Sequence, residues 1–275
     1  MNKAFLFANL LIFTLLSCKQ DPKIATQNGS PLTNQAGEQA NPMVLAGNWI
    51  AMDFCARANQ YGSVLQTMNN SHTPYAYAIS FNPAKPDSAL CYNAVEFWMV
   101  PLRYKADTLE LVGARAGKSI FLIYHSNINK EITMIDPTGE RVRMDRFIKS
   151  KAEVPEAYTA FTTALNHNIL TGTFTPLGKG ASSAPVRFNP NGFMEGFKEF
   201  DRYVICTGGD CLVAGQAIDV ITFYNKKFEP KQFGFRYNGQ NDTLTLFNLI
   251  NSKPDEKGSS TVGAPAFKFS RKVSQ

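Results

Sequence analysis

The chain has 275 residues, 44% of them hydrophobic, with five cysteines and a formal net charge of +6. No Lys/Arg run exceeds two and the basic residues are interspersed with acids, so the clustered cationic stripe of a nucleic-acid-binding protein is missing. A charge this mildly basic still allows weak attraction to anionic glycans or lipid head groups.

Residues 1–17 carry one charge, Lys3, and no acid. From Ala4 to Leu16 the run is apolar except for Asn9 and Thr14, the form of a secretory signal and too short for a transmembrane helix. It ends in Leu15-Leu16-Ser17-Cys18. This resembles the lipobox of bacterial lipoproteins. The resemblance implies diacylglycerol on the Cys18 sulfur, cleavage between Ser17 and Cys18, acylation of the new amine with palmitate-like chains, and a firm membrane anchor. Lys19 follows the cysteine where Asp would favour inner-membrane retention, so an outer-membrane lipoprotein of the cell envelope is expected, on its periplasmic or surface face. Asp21 is a faint pointer to the surface. No later stretch approaches eighteen consecutive apolar residues.

Residues 18–43 hold almost no large apolar side chains beyond the lipidated cysteine and cannot offset their ordering entropy. They read as a flexible tether with an rms reach of roughly 25–30 Å. Lipidation of Cys18 leaves four cysteines for an oxidising compartment. Cys206-Thr207-Gly208-Gly209-Asp210-Cys211 reads as a hairpin with Gly208-Gly209 at its turn, which brings Cys206 and Cys211 opposite each other for a disulfide. By elimination Cys55 pairs with Cys91. Zinc at the two close cysteines would need two more ligands, and His72, His125 and His167 lie in unrelated segments; no metal or other cofactor is expected.

The remaining body is rich in Phe, Tyr, Ile, Val and Thr, with turn signals every 8–12 residues, an all-β signature. Strand alternation is clear at Ala76–Phe81, at Leu109–Leu111, and at Phe233–Tyr237, which turns at Asn238-Gly239 into Thr243–Phe247. Tyr61, Val64, Leu65 and Met68 have helical spacing. Pro155 begins a second helix with Glu156 in its first turn and Tyr158, Phe161 and Leu165 on one face.

The two sides of that second helix echo each other. Leu45-Ala46-Gly47-Asn48-Trp49 matches Leu170-Thr171-Gly172-Thr173-Phe174, and Ile79–Pro83 matches Val186–Pro190. Leu102–Leu111 matches Phe235–Leu246. The expected organisation is therefore a β-barrel-like domain over 44–150, a helical linker over 151–168 and a second β-barrel-like domain over 169–275. The opening L-x-G-x-[WF] with a later x-D-T-L-x-L strand resembles small lipocalin-like domains of bacterial lipoproteins. That resemblance implies two tandem eight-stranded antiparallel barrels, with Trp49 and Phe174 each closing one end. A β-sandwich with an aromatic core is the alternative fold.

Catalytic motifs are scarce. Gly113–Ser119 looks like a phosphate loop but is one residue short and precedes a strand pattern, so it reads as a hairpin loop. There is no Gly-x-Ser-x-Gly and no His-Glu-x-x-His. His125 could serve as a general base, and Asp53, Glu96, Asp136, Asp145, Asp201 and Asp219 could pair as acid and base, yet no spacing selects two. Asp followed by Ser88, Thr108 or Thr243 resembles an O-glycosylation pattern of some bacteria. Phe81, Phe97, Trp98, Phe188, Phe223 and Tyr224 are candidates to line an apolar cavity. The expectation is a non-catalytic envelope lipoprotein holding a small apolar ligand in a barrel. The alternatives are an assembly subunit docking another envelope protein and an envelope hydrolase.

Overall fold

The structure is a computed structural model that describes residues 40–126, 130–151, 156–178, 184–208, 218–251 and 260–272. These lie in one compact unit, Gly37–Gln275. Cys18 and the tether up to residue 39 fall outside the described residues. Among the described residues no helix is long and apolar enough to cross a membrane.

Two eight-stranded antiparallel barrels follow each other along the chain. The first comprises β1 (Gly47–Ala51), β2 (Ala78–Phe81), β3 (Ser88–Tyr92), β4 (Phe97–Lys105), β5 (Thr108–Arg115), β6 (Lys118–His125), β7 (Glu131–Asp136) and β8 (Arg143–Lys149). It closes where Ile50 on β1 pairs with Ile148 on β8. The second comprises β9 (Gly172–Pro176), β10 (Val186–Phe188), β11 (Met194–Glu195), β12 (Arg202–Ile205), β13 (Asp219–Tyr224), β14 (Pro230–Asn238), β15 (Thr243–Asn251) and β16 (Ser260–Arg271). Its seam between β11 and β12 is held by the single bridge Phe193↔Arg202 and two backbone hydrogen bonds, Met194 N–H to Asp201 O and Tyr203 N–H to Gly192 O, both 2.7 Å. It is nearly closed rather than closed. The all-β, tandem-barrel expectation holds, with four short helices where one or two were expected: α1 (Pro42–Leu45), α2 (Met52–Tyr61), α3 (Val64–Asn70) and α4 (Ala157–Ile169).

Local chemistry explains the elements. Along β7, Ile132, Met134 and Asp136 face inward and their neighbours outward, the period of a half-buried strand. Arg115 pairs with Lys118 across Ala116 (φ 49°) and Gly117 (φ 77°), two successive left-handed residues that match the twist of a tight hairpin. The phosphate-loop lookalike is thus the β5–β6 hairpin. The helix expected through Tyr61–Met68 is broken in the middle. Gly62, at φ 60°, ends α2, and Ser63 starts α3 by accepting a hydrogen bond from Gln66 N–H at 3.0 Å. The helical spacing in fact straddles two helices. α1 begins inside the segment expected to be tether, because Asn41 accepts from Met43 and Val44 N–H and caps it.

The first two sequence echoes occupy matching places. Gly47 and Trp49 face Phe81 and Ile79, as Gly172 and Phe174 face Phe188 and Val186. The third does not. Leu102–Leu111 lies on β4–β5, the fourth and fifth strands of its barrel, whereas Phe235–Leu246 lies on β14–β15, the sixth and seventh. An Arg-aromatic strand followed by Thr-Leu-x-Leu is generic strand chemistry, so it recurs out of position.

Both barrels share one continuous core. α4, in the stretch expected to be a linker, packs on β1, β2, β3 and β12. It buries Ala157, Ala160, Phe161, Leu165 and Ile169. Phe161 stacks on Tyr77 at 4.8 Å and lies 6.1 Å from Phe54. From the second barrel, the buried Asp219 carboxylate accepts from Leu65 N–H at 2.9 Å, at the start of α3. Burial raises its pKa, against the pull of hydrogen bonds from Ser63 and the helix N–H groups.

The Cys55–Cys91 disulfide does not form. Both are buried free thiols, one on α2 and the other on β3, each pushed up to about 12 by burial. They act as small core hydrophobes, and counting cysteines carried no geometry that could say so. The expected tight hairpin at Gly208-Gly209 reaches into residues outside the described ones. Cys206 N–H donates to Val220 O at 2.9 Å, so β12 pairs far beyond Cys211. Cys211 itself lies outside the described residues, and with it the Cys206–Cys211 pair.

Candidate ligand-binding site

Each barrel has one end closed in the same way. Trp49 is fully buried on β1; its indole N–H donates to Leu45 O at 2.7 Å, and its ring meets Tyr124 edge-on at 6.2 Å. Lys149 on β8 lies 5.9 Å from that ring and reaches Val44 O at 3.3 Å. In the second barrel Phe174 is fully buried, Arg271 on β16 lies 5.1 Å over its ring, and the guanidinium donates to Ile169 O at 2.7 Å. Both cations therefore hold the last carbonyls of the preceding helix while covering the first-strand aromatic. The glycine two residues before each aromatic has positive φ, 109° at Gly47 and 146° at Gly172. A Cβ there would sit 3.3 Å from Lys149 Cε or 3.5 Å from Arg271 Nε. The contact is tight at Gly47 and ordinary at Gly172, and the positive φ is what favours glycine at both.

The opposite ends differ. In the first barrel, Val100, Leu109, Leu111, Ile120, Leu122, Met134 and Phe147 fill the interior and are all buried. Above them Trp98 N–H donates to Tyr75 OH at 2.6 Å, Arg115 lies 5.6 Å from the Tyr75 ring, and Arg115 pairs with Asp136 at 3.2 Å. Burial opposes ionisation of Asp136, but hydrogen bonds from Thr138 and the Arg115 cation outweigh it and hold its carboxyl below the usual range. Polar groups cover this mouth and satisfy one another.

In the second barrel β9, β10 and β11 have five, three and two residues against twelve in β16. β9 pairs with β16 over Phe269–Arg271, so among the described residues the wall beyond is incomplete. The β11–β12 loop bends into that gap. Gly196, at φ 81°, makes the bend possible, since a Cβ there would lie 2.0 Å from Pro185 O. Phe197 then sits among Phe200, Phe223, Phe267 and Phe269 at 5.1–6.1 Å. Between this loop and the wall lies a cavity of about 600 Å³ lined by Leu177, Val186, Phe197, Ala266, Phe267 and Phe269, with Lys198, Glu199 and Lys268 among the polar lining residues. Its volume and mostly apolar wall suit a small molecule.

The sequence-selected residues are mostly elsewhere. Phe188 and Phe223 belong to the buried aromatic cluster under the cavity, and Phe81 is core of the first barrel. Trp98 is part of the polar lid, Phe97 points outward and is half-exposed, and Tyr224 is half-buried on β13. The carboxylates are dispersed. Asp53 pairs with Arg146, Asp136 with Arg115, and Asp145 with Arg57 and His72, while Asp219 caps α3. Glu96 is exposed in the β3–β4 turn and Asp201 lies beside the β11–β12 seam. His125 bonds Thr133 across the strand pair at 2.9 Å. Ser88, Thr108 and Thr243 each bond a side chain one or two residues away. Among the described residues no cluster of three or more His, Cys, Asp or Glu could hold a metal. The cavity-lining residues missed from sequence were signalled by the alternation Ala266-Phe267-Lys268-Phe269 and by Gly196 placed before an aromatic.

No family model matches the chain, and no curated protein or solved structure compared with it matches significantly.

Proposed function

We propose that the chain is a non-catalytic lipoprotein of the bacterial cell envelope that binds a small apolar ligand in the mouth of its second barrel. The observation that carries this reading is the 600 Å³ cavity walled by Phe197, Phe267 and Phe269 in one barrel of a pair whose other member is filled. Apolar contact would supply the affinity, at roughly 25 cal/mol per Å² of ligand surface buried. The lipid anchor on Cys18 rests on the lipobox and would hold the barrels at the outer membrane.

Native mass spectrometry of protein released by mild extraction tests the ligand. A bound mass should survive in the parent and be lost from Ala266→Trp, which fills the cavity. Parent protein that carries no bound mass and takes up no apolar probe would overturn the reading. Labelled palmitate tests the anchor: it should enter the parent in cells and not Cys18→Ser, and equal membrane retention of the two would refute it.

A further inference from the structure

In an up-and-down barrel alternate strand ends gather at one end, so the ends of β9, β11, β13 and β15 meet at the second barrel's mouth. Three of these ends carry an exposed large apolar residue: Leu177 just after β9, Phe228 in the β13–β14 turn and Ile250 within the last residues of β15, at 43%, 60% and 55% exposure. Exposed lysines stand among them, Lys198 on the β11–β12 loop and Lys226 and Lys227 beside Phe228.

Phe228 is held outward. Its φ is 62°, unfavourable for a bulky side chain. The turn is fixed by Asn225, whose carbonyl accepts from Phe228 N–H at 2.8 Å and whose side-chain oxygen accepts from Lys227 and Glu229 N–H. The Phe228 ring lies 4.2 Å from the Arg202 guanidinium carbon, with the half-exposed Phe193 on that cation as well, 5.0 Å away. Among the described residues of these connections the acids are Glu199, Asp201 and Glu229, and Glu229 is already engaged by Asn225 Nδ2 at 2.6 Å.

We infer that this rim docks onto an anionic lipid surface, with Leu177, Phe228 and Ile250 entering the head-group layer and Lys198, Lys226 and Lys227 meeting lipid phosphates. Interleaved aromatic, aliphatic and lysine side chains on loop tips match a boundary that is apolar on one side and negatively charged on the other. Seated so, the cavity mouth would face the bilayer. The inference stands on the rim alone and does not require the ligand reading.

Residues 37–275, which form a compact unit without the lipidated cysteine, can be floated with vesicles of phosphatidylcholine alone or with about one-third phosphatidylglycerol. Binding is expected on the anionic vesicles and should weaken with salt. Each Lys-to-neutral change should reduce partitioning about fivefold, so Lys226→Gln with Lys227→Gln should lose roughly 25-fold with an unchanged unfolding midpoint. Phe228→Ala should also weaken binding, while Val142→Ala, an exposed apolar control on the first barrel, should leave it intact. Failure of the parent to float with anionic vesicles would overturn the inference, as would equal losses from Val142→Ala. If the rim variants left flotation intact but lost an envelope protein partner, the rim would be a protein-docking surface instead.

Discussion

The two barrels use the same closed end and opposite solutions at the open one. In the first, β1 to β3 have four or five residues and every strand from β4 to β8 has six or more, and the mouth carries a polar-aromatic lid of Tyr75, Trp98, Arg115 and Asp136. In the second, β9 matches β1 but β10 and β11 have only three and two residues, and Phe197 is folded in from a loop instead. A lid of hydrogen-bonded polar groups needs each partner in place, whereas a Phe among Phe side chains tolerates the loss of a neighbour. The difference teaches that strand length, more than core composition, decides which barrel has room for a guest.

The largest effects should come from the feature the barrels share. Trp49→Ala and Phe174→Ala should each destabilise by about 3–5 kcal/mol, the usual range for a buried large aromatic. Because α4 packs Phe161 on Phe54 and Tyr77 and also contacts β12, within one core shared by both barrels, both losses should appear in a single cooperative urea transition. Two separate transitions would show that the barrels fold independently and that the shared core matters little. Phe197→Ala should be milder, about 1–3 kcal/mol, since Phe197 is half-buried on a loop. It should nonetheless change ligand retention more than any substitution inside the first barrel.

Much of this arrangement was legible in the sequence. Alternation marked β2, β5, β14 and β15, and the glycine two residues before Trp49 and Phe174 marked the first strand of each barrel. What failed has physical reasons. The spacing of Tyr61, Val64, Leu65 and Met68 registers an apolar stripe but not the left-handed Gly62 that breaks it. The echo of Leu102–Leu111 in Phe235–Leu246 reflects side-chain alternation, which any strand pair can share. The cavity depends on how far β9 extends beside β16 and β10 beside β9, and strand ends are set by pairing between distant segments rather than by local preference.

Asp219 tests how firmly the second barrel is tied to the helices of the first. Asp219→Ala removes the acceptor from Leu65 N–H and should cost about 1–3 kcal/mol. The pH dependence has a definite sign. The folded carboxyl has a raised pKa, so above the ordinary value of about 3.9 the folded protein retains a proton that the unfolded chain has released. That contribution to stability is present at low pH and is lost as pH rises through the raised value. Asp219→Asn should flatten this part of the urea-midpoint profile. An unchanged slope would mean that other groups set it.

The smallest expected effect concerns Cys55 and Cys91, and it separates packing from cross-linking in the first barrel. Breaking a native disulfide in a small domain typically costs 2–5 kcal/mol. Replacing a buried free thiol by alanine removes about one heavy atom from the core and should cost roughly 1 kcal/mol. Cys55→Ala and Cys91→Ala should therefore shift the urea midpoint slightly, by additive amounts, and by the same amount with or without reductant. Alkylation gives the independent reading. With both thiols pushed up to about 12 and buried, neither should react at neutral pH in the folded protein, and both should react on unfolding without reductant. If either stayed blocked until reduced, the two residues would be cross-linked, and the account of both as free core thiols would have to be abandoned.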